Sequence, residues 1–224
     1  MKNSNKVLSV LCLLTLASCG GDKGGGSSAP SGPVKEEQIQ ETEGTYKAIM
    51  RPYNFNLAGW IPNGITDINI VSNEMEVKSW LDDSADVTHM QNIHIGTTCP
   101  GPEHDSNKDG YVDLNESMAV AGKILIPLDS EISAQDGSTE FPKGNFSYFE
   151  TVNIPAMMDD LQSADTNTGD SMVKLAPTQG LNLAGKVIII MGSANRMIPD
   201  SVSLHNGQPK NLSIPIACGV IERK

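Results

Sequence analysis

The chain has 224 residues and carries 27 acidic against 16 basic side chains, a formal net charge of −11. That sign argues against nucleic acid as a partner, because phosphate contacts require lysine and arginine. The length suits one folded domain with terminal segments lying outside it.

The first eighteen residues begin with Lys2 and Lys6, continue through an apolar stretch from Val7 to Ala17, and end just before Cys19. A basic start followed by an apolar core of this size reads as a secretory leader, residues 1–18. The tetrapeptide Leu16-Ala17-Ser18-Cys19 resembles the lipobox of bacterial lipoproteins. The resemblance implies cleavage before Cys19 and a diacylglyceryl group on its thiol. Gly20, where an Asp would imply retention in the inner membrane, implies sorting to the outer membrane of a bacterial envelope. Losing Lys2 and Lys6 takes the 16 basic residues to 14 against 27 acidic, so the mature chain carries −13. Residues 19–43 are Gly, Ser, Pro and charge with almost no apolar content, and cannot bury enough surface to order. They read as a tether whose root-mean-square reach is roughly 25 to 30 Å. No later apolar run attains the roughly 18 to 20 residues of a membrane span, so lipid on Cys19 is the expected membrane anchor.

The head, residues 44–224, reads mainly as strands. Residues 66–71 (TDINIV), 74–80 (EMEVKSW) and 91–95 (QNIHI) alternate polar and apolar with period two. Residues 123–127 (KILIP), 186–191 (KVIIIM) and 212–221 (LSIPIACGVI) are rich in β-branched residues, and Gly, Asn, Asp and Pro punctuate the intervals. Residues 155–161 (PAMMDDL) are the one other candidate helix beside a short turn at 116–121. Many short strands with little helix imply an all-β fold, a Greek-key barrel or sandwich. Trp60 and Trp80 are expected in its core.

Between the third and fourth of these strands lies a twelve-residue segment, 105–116, with the sequence DSNKDGYVDLNE. It places an oxygen donor at every position of an EF-hand calcium loop: Asp105, Asn107 and Asp109 at 1, 3 and 5, the Tyr111 carbonyl at 7, Asp113 at 9 and Glu116 at 12. Gly110 falls at position 6, where the chain must turn sharply, and Val112 at 8 points back into the fold. A sensor needs helices on both sides of such a loop. The residues before it, Cys99-Pro-Gly-Pro-Glu-His104, exclude a regular entering helix. The loop is therefore expected to bind Ca²⁺ as a structural clamp.

Of four cysteines, Cys12 leaves with the leader and Cys19 carries the lipid that the lipobox implies, which leaves Cys99 and Cys218. Two thiols in an oxidising compartment should pair. The loop they close, about 118 residues, is worth roughly 4 to 5 kcal/mol by chain entropy, as an upper figure.

Residues 216–221 (IACGVI) resemble the last strand of Cu,Zn superoxide dismutases, and Asn92-Ile-His94-Ile-Gly96-Thr-Thr-Cys99-Pro-Gly-Pro-Glu-His104 resembles their copper-ligand strand and the cysteine after it. Residues 74–80 and 183–191 are similar to two further strands of that family, so four anchors in order cover most of the head. The resemblance implies a dismutase-like Greek-key fold and, independently, the Cys99–Cys218 pair. It implies copper ligands at His94, His104 and Met191, with Asn92 and Met191 standing where the family has histidines and Pro215 where it has a guiding arginine. No histidine lies between His104 and His205, so the zinc subloop is missing. Met191 is read as a gap-filling core or rim methionine, with a copper ligand as the alternative. His89 is read as a solvated turn residue, with extension of a copper cluster as its alternative, and His205 as a surface-loop residue.

Together these readings describe a lipid-anchored, extracytoplasmic, calcium-binding β-domain with a non-catalytic envelope role. The alternatives are a copper-dependent dismutase-like oxidoreductase and a copper-sequestering protein. No partner beyond the membrane is named by the sequence.

Overall fold

Side-chain alternation builds one half of the sheet. In β1 (Gly44–Pro52), Tyr46, Ala48 and Met50 turn inward; in β2 (Asn63–Val71), Thr66, Ile68 and Ile70; in β3 (Glu74–Asp82), Met75, Val77, Ser79 and Leu81. The computed structural model describes residues 43–54, 60–132, 140–163, 172–194, 197–203 and 209–224. The leader, Cys19, the tether and His205 lie outside the described residues. A buried hydroxyl pair, Thr66 with Ser79 at 2.9 Å, satisfies both polar groups across the β2–β3 ladder.

Strands β4 (Gln91–His94), β5 (Ile124–Pro127), β6 (Phe146–Asn153), β7 (Val187–Met191) and β8 (Pro215–Arg223) complete one curled antiparallel sheet in the order β5-β4-β7-β8-β1-β2-β3-β6. The all-β expectation holds. The two helices also fall close to where the sequence places them. α1 spans Leu114–Ala121, longer at its start than expected, and α2 spans Ile154–Gln162, directly after β6, with the Asn153 side chain capping the Ala156 N–H at 3.1 Å. Before the acidic loop 105–116 the chain makes only a single 3-10 turn, Pro102–His104.

Strands β4, β5, β7 and the first half of β8 differ from β1, β2, β3 and β6 because they are buried on both faces. Ile93, Ile188 and Ile190 face the main core with Ile68, Val77 and Leu125. Val187, Ile189, Met191 and Cys218 face the opposite way, into a second apolar layer with Val112, Leu114 and Ala121. The acidic-loop segment and α1 are thus a lid over the outer face of β7. Gly96 lies so close to the end of that lid that a Cβ would stand 2.4 Å from the Ala121 carbonyl oxygen. Its own N–H donates to the same oxygen at 2.6 Å.

Three expectations need correction. The final strand starts at Pro215, not 212, because Lys210–Ser213 forms a 3-10 turn. Trp60 and Trp80 are not core residues: they are 51% and 37% exposed, Trp80 because it sits at an outward position of β3. Strands β1 and β6 add to those the periodicity predicts, because Ile49 and Phe149 put apolar groups on their outward faces and blur the alternation.

Cys99 and Cys218 are bonded, with Cα atoms 5.8 Å apart, and tie the lid to β8. Replacing both by Ser should lower the unfolding free energy by up to roughly 4 to 5 kcal/mol. Chemical denaturation of the double variant against the oxidised chain measures this, and a change below about 1 kcal/mol would mean that the lid holds without its covalent tie.

Candidate metal centre

Side-chain oxygens accepting backbone N–H groups shape the loop 105–116. Gly110 adopts φ +91°, and its N–H donates to Asp105 Oδ2 at 2.8 Å, closing the turn. Asn107 Oδ1 and Asp105 Oδ1 accept from the Asp109 N–H at 2.9 and 3.1 Å, and Asp109 Oδ1 accepts from Tyr111 N–H at 3.0 Å. The exit is a capping box: Asp113 Oδ1 accepts from Glu116 N–H, and Glu116 Oε2 from Asp113 N–H, both at 3.0 Å. Glu116 Oε1 also reaches back to the Ser106 N–H and hydroxyl at 2.8 Å, so positions 2 and 12 of the loop are joined.

Asp113 and Glu116 are 3% and 9% exposed. Among the described residues, no Lys, Arg or His lies within ion-pair distance of them or of Asp105 and Asp109. Their carboxylates are instead met by N–H and O–H donors, including Ser203 N–H to Asp113 Oδ2 at 2.8 Å and the Ser201 hydroxyl to Asp109 Oδ2. Among the described residues no three His, Cys, Asp or Glu side chains converge on one point. The donors fit calcium in kind and order, all of them hard oxygen. The carboxylates, however, are turned to these hydrogen bonds and not to a common centre.

The loop is fastened to the domain by one side chain that the sequence did not single out. Asn54, at the end of the β1 segment, donates to Val112 O at 2.7 Å and Pro215 O at 3.0 Å, and accepts from Val112 N–H at 3.0 Å. It holds φ +52°, a left-handed conformation that Asn tolerates better than most residues.

The positions that the dismutase resemblance assigns to copper are His94, Met191 and His104, with Asn92 beside them in β4. His94 is buried at the end of β4 and its Nδ1 faces Gly122 O at 2.9 Å. Met191 is buried in the apolar layer under the lid, and the ladder sets His94 opposite Val187, four residues before Met191. His104 is held on its own turn, Nδ1 accepting from the Gly101 N–H at 3.0 Å, with Glu103 at 3.4 Å. Asn92 is buried on the same strand face as His94.

His89 is not a solvated turn residue. It is fully buried, with Nδ1 3.1 Å from Met191 O and Nε2 3.0 Å from Ala85 O. Both ring nitrogens face carbonyl oxygens, so the neutral ring can donate to only one of them. Burial pushes its pKa down; the Ala85 and Met191 carbonyls pull it up, and burial prevails. Neither a known protein family nor a curated protein matches this chain.

Two measurements follow from this geometry. Asn54→Ala removes three hydrogen bonds and orphans buried partners, so it should cost about 2 to 3 kcal/mol in urea unfolding. A loss under about 0.5 kcal/mol would show that Asn54 is not the fastener. Because the folded pKa of His89 lies below its unfolded value of 6.5, protons favour the unfolded chain. Its contribution is complete above about pH 6.5 and declines as pH falls below it. His89→Gln should flatten that slope in the dependence of unfolding free energy on pH, and an unchanged slope would assign it to another group.

Proposed function

We propose that this chain is a lipid-anchored, extracytoplasmic calcium-binding β-domain protein with a non-catalytic role in the bacterial envelope. One observation carries the calcium reading: Asp113 and Glu116 lie nearly buried beside Asp105 and Asp109 with no cationic partner among the described residues. Burying carboxylates is costly unless positive charge accompanies them. A bound Ca²⁺ supplies that charge through oxygen ligands, and Asp105, Asn107, Asp109, the Tyr111 carbonyl, Asp113 and Glu116 are the residues that would hold it. Anchoring rests on the leader and on Cys19 in its lipobox-like tetrapeptide. Among the described residues no helix is long and apolar enough to cross a membrane.

The proposal extends to a Greek-key barrel of the dismutase type. It is supported by the strand order, in which β6 returns to pair with β3 and β7 returns to pair with β4. A dismutase role is not proposed. Asn92 and Met191 stand where that chemistry requires imidazoles, and Pro215 where it requires positive charge to guide an anion.

Titration calorimetry on the chelator-treated protein should give one Ca²⁺ per chain, abolished by Asp105→Ala or Glu116→Ala. At 100 times the dissociation constant, Ca²⁺ should add about 2.7 kcal/mol, a rise in Tm of roughly 5 to 10 °C. An unchanged Tm between chelator and millimolar Ca²⁺ would refute the calcium reading. Mass spectrometry of the membrane-extracted chain should find a diacylglyceryl-modified Cys19 at the mature start; an unmodified cysteine there would refute the anchor.

A further inference from the structure

A continuous apolar row stands on the outward face of β8, β1, β2 and β3. Ile49 pairs with Ile65 and Ile65 with Trp80 in cross-strand register, and Val220 shares a groove with Ile49. Ile49 is 61% exposed and Trp80 37%, while Phe149 on β6, 56% exposed, stands one row away opposite Lys78. A half-buried antiparallel sheet ordinarily keeps such positions polar, and contiguous exposed apolar groups mark interaction surfaces.

The adjoining row says what covers it. Glu222, Lys47, Asp67 and Lys78 are register partners across the same four strands. Their charges read minus, plus, minus, plus. Reversed, the row is its own opposite. A two-fold axis in the contact plane, parallel to the strands and between β1 and β2, would lay this row on its reverse. Glu222 then meets Lys78 of the second copy, and Lys47 meets Asp67. The same rotation lays the apolar row on itself, Ile49 on Ile65 and Trp80 towards Val220. At the β8 end that row opens into a groove of about 510 Å³ beside Ile49, Val220 and Pro100, where an indole can enter. Within one copy Asp67 is met by Lys47 at 3.8 Å and by Lys224 at 2.5 Å, and Lys78 lies 2.6 Å from Glu76, yet the Lys47, Asp67 and Lys78 side chains remain 34%, 39% and 56% exposed and open to a partner across the contact.

We propose that the outward face of β8-β1-β2-β3 is an isologous interface with a second copy of this chain, with Trp80 of each copy seated in the groove of the other. In such a contact each pair occurs twice, so one substitution acts at two places.

Sedimentation equilibrium of the full chain in a density-matched non-ionic detergent should give twice the chain mass at about 50 µM. Ile49→Asp should give the single-chain mass with an unchanged circular-dichroism melt. Lys78→Glu should raise the dissociation constant about tenfold by facing Glu222 with a like charge. The double variant Lys78→Glu, Glu222→Lys should return it to within about threefold of the parent. The charge exchange tests the proposal even if Ile49→Asp fails to fold. A single chain at about 100 µM, a dimer indifferent to Ile49→Asp, or a double variant no tighter than Lys78→Glu alone would overturn it. So would a single chain that binds anionic lipid vesicles through Trp80, which would assign the face to the membrane.

Discussion

Strand β7 and the first half of β8 are apolar on both faces, with the buried β4 beside them, and the rest of the structure answers that demand. One face has the main core. The other would leave Val187, Ile189 and Met191 in water, at about 1.5 to 3 kcal/mol each, without the segment that runs from Gly96 to Gly122. That segment carries little regular structure of its own, so it has to be fixed from outside. The Cys99–Cys218 bond fixes its start to β8, Asn54 fixes its middle to both Val112 and Pro215, and α1 fixes its end by burying Leu114 and Ala121.

Placing the acidic loop within this lid determines what a metal there could do. Asp109 and Asp113 accept hydrogen bonds from Ser201 and Ser203 of the connection between β7 and β8, so the loop is joined to a second surface segment. The face of α1 that a sensor would expose on opening is already spent against the sheet. A cation held here would therefore strengthen a wall of the domain. Glu116 belongs at once to the donor set, the helix cap and the tie to Ser106, which is why one side chain links loop, helix and lid.

The other half of the sheet is built on the opposite principle. Strands β1, β2, β3 and β6 alternate, bury one face, and leave the second to solvent. Where Ile49, Ile65, Trp80 and Phe149 break the polar side of that pattern, they do so in neighbouring positions on adjoining strands, beside charges that alternate in sign. Lys78 lies over the Phe149 ring at 5.1 Å, which partly shields it.

The all-β character, six strands, the second helix and the disulfide pair were legible in the sequence, because each depends on local periodicity or on a count of thiols. The acidic loop was legible as a pattern of oxygen donors at fixed offsets, since Gly110 and its flanking acids are read along the chain. Strands β1 and β6 were hidden because their outward apolar residues look like core until the sheet assigns faces. The sequence could not place Asn54 as the fastener of a loop 58 residues away, nor His89 between two carbonyls from segments 106 residues apart. It could not show that the ladder sets His94 opposite Val187, at the other end of β7 from Met191. Those facts depend on which strands become neighbours and which face each turns inward, and long-range pairing, unlike periodicity, leaves no mark within a single stretch of chain.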